Sequence, residues 1–200
     1  MKNVKLLSSL IFVFLNNLMF CQSDSTYFLH DIKRINRQKI GMQALGGWSI
    51  ANIATGIALK NNVKGEDFYF NQMNIAWNVF NLGIASIGYL NVRKEKPSVI
   101  AMDVHQKQLK LEKAFLFNSG LDVAYVCGGL WLLERARNYE NPKEFDRFRG
   151  LGRSLILQGT YLFLFDLSFY LIETSHANKL REAMNLFFLS KGQLGMRIKF

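Results

Sequence analysis

Apolar residues gather into four long blocks, at residues 41–59, 69–90, 114–133 and 155–172, separated by short polar and mostly basic connections. Each block approaches the ~20 residues that a helix needs to cross ~30 Å of hydrocarbon. Each is apolar round most of its circumference, whereas a soluble helix shows a broad charged face. Proline occurs only twice, and no series of alternating strands is present. The expected fold is therefore all-α, a four-helix transmembrane bundle with amphipathic flanking segments. The second block carries Asn71, Asn74, Asn78 and Asn81, which keeps a soluble helical bundle open as the alternative.

The flanks refine this picture. MKNVKLLSSLIFVFLNNLMFCQ has the plan of a secretory signal: Lys2 and Lys5, an apolar stretch from Leu6 to Leu15, and an expected cleavage after Cys21. The expected domains are thus a signal peptide at 1–21 and one membrane domain at 22–200. An uncleaved anchor helix and a lipid-modified Cys21 are the alternatives, the latter disfavoured by Phe20 where lipoprotein signals carry a small residue. Residues 23–39 suit an amphipathic helix lying on the membrane surface. The tail ends in LGMRIKF, whose alternation resembles a barrel strand; without partner strands it reads as a short surface segment.

Polar positions within the blocks follow helical spacing. Asn71, Asn74, Asn78, Asn81, Ala85 and Gly88 share one stripe, as do Asn118, Asp122, Tyr125 and Gly129 in the third block. The fourth gives Gly159, Leu162, Asp166, Phe169 and Glu173; the first gives Gly41, Leu45, Trp48, Asn52 and Thr55. Small and polar stripes are the faces by which membrane helices pack. Asn52, Asn78, Asn81, Asp122 and Asp166 lie within ~5 Å of their block centres at 1.5 Å per residue. Antiparallel neighbours would bring them to one level. The candidate polar layer is therefore Asn52, Asn74, Asn78, Asn81, Asn118, Asp122 and Asp166, closing a bundle in which amides bond carboxyls. Its leading role is interhelical glue; a proton or cation site on Asp122 and Asp166, or a small-ligand pocket, is the alternative, because ionisable groups at bilayer depth mark sites. Gly46-Gly47 and Gly128-Gly129 read as close helix contacts. Asn74–Asn78 and Asn118–Asp122 share a pattern too short to rank a duplicated hairpin above coincidence.

The formal net charge is +10. The basic residues flank apolar blocks rather than forming one patch, which points to anionic lipid headgroups and not to nucleic acid. Their distribution conflicts with a cleaved leader, which would leave the basic excess outside, against the positive-inside rule. His30, His105 and the Glu173/His176 pair would share one face, but one Glu-x-x-His pair falls short of a di-metal set, so neither a metal nor another cofactor is expected. Cys21 and Cys127 imply no disulfide framework. No nucleophile constellation or phosphate loop stands out, so the chain is not expected to be an enzyme.

The stretches GMQALGGWSIANIATG, FNQMNIAWNVFNLGIASIGYL, FNSGLDVAYVCGGLWLLERA and GRSLILQGTYLFLFDLSFY resemble small uncharacterised membrane proteins of Bacteroidota, over residues 35–175. The resemblance implies no activity and transfers no functional residue. The expectation is a multi-pass protein of the bacterial inner membrane, a structural or interaction component of the envelope that self-associates or takes partners through its small and polar helix faces. The alternative is a small transporter or proton-coupled device using Asp122 and Asp166.

Overall fold

The computed structural model describes residues 2–59 and 62–190, with side chains for 25–59, 62–182 and 184. Among the described residues all regular structure is helical: α1 (Lys2–Leu59), α2 (Glu66–Lys94), α3 (Ala101–Ala136) and α4 (Pro142–Ser190). Each apolar block falls inside one helix. The leader expected at residues 1–21 lies in the part of the chain whose side chains are outside the described residues, as does LGMRIKF.

Local chemistry sets the helix ends. Gly65 has φ 58°, a backbone that a side chain would strain, and Glu66 and Asp67 follow in the first turn of α2 while Arg93 and Lys94 close its last. Both placements complement the helix dipole. Pro142 opens α4 where its missing N–H costs nothing, and the Asn141 side-chain oxygen accepts the Lys143 N–H at 2.9 Å.

The helices run up and down. α3 packs most extensively on α4, α1 on α2, and α2 on α4, while α1 barely approaches α3 or α4. Among the described residues α2 and α3 make no close backbone approach. The packing order is thus α1–α2–α4–α3, an open arrangement rather than the closed ring expected from the stripes.

The α3–α4 contact is tight because glycines line it. A Cβ on Gly129 would sit 2.8 Å from the Gly152 carbonyl oxygen, one on Gly152 2.7 Å from that of Gly129, and one on Gly159 3.0 Å from that of Asp122. Gly129 is thus a close helix contact, as expected. Gly128 makes only ordinary contact with Leu155, Gly46 with Ala85, and Gly47 meets nothing within 4 Å. The paired-glycine expectation fails there because the second residue of each pair points about 100° away from the first.

α1 and α4, with 58 and 49 residues, are about 87 and 74 Å long at 1.5 Å per residue, far more than a bilayer core. The ends of α1, α3 and α4 beyond the apolar blocks form a helical extension. Residues 25–39, expected as a separate surface helix, continue α1 without a break. Tyr27 packs with Val104, Leu180 and Met184 in a small apolar core, and the basic residues find carboxylates on other helices. That packing buries an apolar face that would otherwise need a membrane surface.

α2, α3 and residues 142–182 of α4 are long and apolar enough to cross a membrane; α1 does not reach the same threshold over its described residues. The burial pattern is inverted. Of the described residues, 16 polar or charged side chains are buried against 11 apolar ones. Phe80, Phe117, Ile87, Trp131 and Leu164 are instead 59–67% exposed.

Candidate functional site

The polar stripe of α2 faces inward: its buried residues are Asn71, Asn74, Asn78, Asn81 and Ala85. Asn74 is the hub of a closed circuit of hydrogen bonds. Trp48 Nε1 donates to Gln158 Oε1 at 3.1 Å, and Gln158 Nε2 donates to Asn74 Oδ1. Asn74 Nδ2 then donates to Asn52 Oδ1 at 2.9 Å, and Asn52 Nδ2 returns to the Trp48 carbonyl at 2.8 Å. The circuit ties α1, α2 and α4 together. Trp48 also stacks on Tyr161, centroids 3.7 Å apart and nearly parallel. Asn78 bonds back to the Asn74 carbonyl at 2.8 Å. Asn71 does the same two turns earlier, to the Asp67 carbonyl at 3.0 Å.

Asp122 and Asp166 form a second cluster, where α3 meets α4. Asp122 Oδ2 is buried with no partner among the described residues. The pair is 3% and 7% exposed and lines a cleft of about 530 Å³ that lies mainly between α2 and α3, with α1 and α4 completing its walls. Asn81 lines the same cleft, with its buried Nδ2 unpartnered among the described residues. Trp77 meets Tyr125 edge to face across it at 4.9 Å, its Nε1 also unpartnered. Asn118 lies at the exposed rim.

The expected single layer is therefore two clusters. Asn52, Asn74 and Asn78 belong to the amide circuit; Asn81, Asn118, Asp122 and Asp166 belong to the cleft. No Asn side chain bonds either carboxyl among the described residues. Helical spacing specifies which face a residue occupies, not which neighbour that face meets, so one level split in two. Gln158 escaped the sequence reading although it stands four residues before Leu162 and eight before Asp166, on their stripe. Ser49 and Ser154, both fully buried, escaped as well. Thr55 turns outward and bonds only its own helix, at the Ala51 carbonyl.

At the extension, Glu173 is fully buried. Arg37 holds it with two bonds of 2.6 and 3.0 Å, and Gln108 Nε2 donates to it at 3.0 Å. Arg34 bridges Asp31 at 2.7 Å and Glu95 at 2.6 Å, while Asp31 also accepts the Ser98 N–H at 2.9 Å. His30 and His176 stack with centroids 3.5 Å apart, each Nε2 reaching the other's backbone carbonyl. Burial holds the His30 imidazole below its ordinary pKa. Two of the three histidines thus converge, but Glu173 is engaged by Arg37. Among the described residues no three His, Cys, Asp or Glu side chains gather as metal ligands. At the opposite end Arg149 and Arg153 clamp Glu66, each at 2.6 Å.

The match to known families covers the bundle rather than the whole extension. Neither a curated protein nor a solved structure matches the chain. A family model matches residues 44–167, which include both polar clusters and exclude His30, Glu173 and His176. The chain thus belongs to a family of unknown function, DUF6992.

Proposed function

We propose that this chain is a multi-pass protein of the bacterial inner membrane, in which α1 supplies a fourth span and the amide circuit serves as interhelical glue for a structural or interaction component of the envelope. The inverted burial pattern carries this reading. A soluble bundle gathers apolar side chains inside; here amides and carboxyls fill the interior while large apolar residues cover the outside, as suits a hydrocarbon solvent. α1 joins the spans because Trp48 and Asn52 bond α4 and α2 at the same level. The basic residues beyond the blocks suit anionic headgroups.

A second reading, a small transporter or proton-coupled device, is favoured by one observation: Asp122 and Asp166 open onto a cleft rather than being sealed by amides. Membrane fractionation and a cysteine-accessibility map of a Cys-free background test the first reading. Labels at Val63 and Asn138 are expected on one side of the membrane, and those at Ser98 and Asn178 on the other. A protein released by alkaline carbonate, or the first pair split between sides, would sink it. A growth or flux phenotype of D122N/D166N in a folded protein favours the second reading over glue.

A further inference from the structure

We propose that the cleft between α2 and α3 binds an amphiphilic monocation, an ammonium group on an apolar body, which enters sideways from the lipid. The inference goes beyond the envelope role and rests on the bundle's lying in a bilayer.

The charge balance of the cleft comes first. Asp122 and Asp166 are both buried in its lining, and an ionised carboxylate there brings a negative charge. No Lys, Arg or His lines the cleft to balance it. Everywhere else among the buried acids the structure supplies a cation: Arg34 for Asp31, Arg37 for Glu173, Arg181 for Glu112. Burial disfavours a carboxylate without a partner, and a paired cation offsets that cost. The Asp122/Asp166 pair is the exception, and it is the pair with a cleft above it.

The walls then define the rest of the ligand. Trp77 and Tyr125 present aromatic surface close to the carboxyls, which suits an ammonium group through both ring faces and charge. Asn81 Nδ2 and Trp77 Nε1, both buried and unpartnered, offer donors for a hydroxyl or carbonyl beside the ammonium. Towards the rim the lining turns apolar: Phe80 is 67% exposed and Ile84 45%. A cleft of this size falls in the range of small-molecule sites, apolar with a few convergent polar groups. The exposed lining residues Phe80, Ile84 and Leu121 lie near the middle of their apolar blocks rather than at the ends, which favours entry from the flank of the bundle over entry along its axis.

The test is a titration of the full-length protein in nanodiscs of neutral phospholipid with phenylbutylammonium, read by calorimetry, with phenylbutanol as the uncharged counterpart. Saturable one-to-one binding of the ammonium is expected, with the alcohol weaker by about tenfold or more. D122N/D166N should lose the preference for the cation. Ile84→Trp fills the mouth and leaves both carboxyls and the amide circuit intact, so it should abolish binding even where the double variant folds poorly. Absence of saturable binding to the wild type overturns the proposal. So does equal affinity for ammonium and alcohol, or binding that survives Ile84→Trp. The cysteine map above is independent of these results, so a failed titration leaves the membrane reading standing and a failed map does not pass for a failed titration.

Discussion

Asn74 and Asn81 provide a stringent test of the amide circuit. They lie on the same face of α2, two turns apart, and are equally buried at 4% exposure. They differ in partners. Asn74 accepts from Gln158 and donates to Asn52, whereas the Asn81 amide nitrogen has none. Interhelical hydrogen bonds in membranes average ~0.6 kcal/mol each and reach ~1.7. Loss of two therefore predicts a cost of about 1–3 kcal/mol for Asn74→Ala beyond side-chain truncation. Asn81→Ala breaks no such interhelical bond from its amide nitrogen and should cost less than Asn74→Ala by about that margin. Reversible unfolding in mixed micelles, followed by circular dichroism against detergent composition, measures both. A cycle combining Asn74→Ala with Gln158→Ala should show a coupling of about 0.6–1.7 kcal/mol, because the two side chains share one bond. Equal costs for the two alanine variants, or additivity in the cycle, would refute the circuit as the source of stability.

Three further outcomes follow from the packing and the extension. Gly159→Leu should destabilise by about 1–3 kcal/mol and force α3 from α4, since even a Cβ there lies 3.0 Å from the Asp122 carbonyl; Gly83→Leu, with nothing within 4 Å, should be neutral in the same unfolding assay. Glu173→Gln should lower stability by roughly 2 kcal/mol, less than the ~3–5 kcal/mol of breaking a fully buried pair because the Arg37 side chain keeps 22% exposure. Melting by circular dichroism reads the loss, and a variant as stable as wild type contradicts the pairing. Stability should also fall as pH drops below about 6.5, because burial depresses the folded-state pKa of His30. The unfolded chain then binds more protons than the folded one, and the loss continues until pH passes the folded value. Arg37, Asp31, Glu173 and His176 face this ring, so His30→Phe, which keeps the stack, should flatten the acid limb of a melting curve against pH without abolishing it.

Much of the architecture was legible in the chain because hydrophobic length and helical period are local properties. The four apolar blocks became four helices, and the α2 stripe from Asn71 to Ala85 became its buried face, with Gly88 half-buried. The helix starts were missed: Glu66-Asp67 and Asn141-Pro142 lay in what read as connections, and they open α2 and α4. The polar layer was legible only as a set of inward faces. Gln158 shows the limit: it was absent from the expected α4 stripe, and only the neighbouring helices revealed that it links Trp48 to Asn74.

By itself, then, the sequence determined which segments are helical, which faces turn inward, and that the interior is polar, all consequences of a 3.6-residue period and apolar length. Only the tertiary structure decided the partners. It drew α3 onto α4 through Gly129, Gly152 and Gly159, and left α2 and α3 apart. It closed the amides into a circuit among α1, α2 and α4, and left Asp122 and Asp166 sharing a cleft instead of an amide layer. The reason is steric. Where side chains are small the backbones meet, where they are bulky a gap remains, and no single-helix pattern encodes which of two inward faces will find the other.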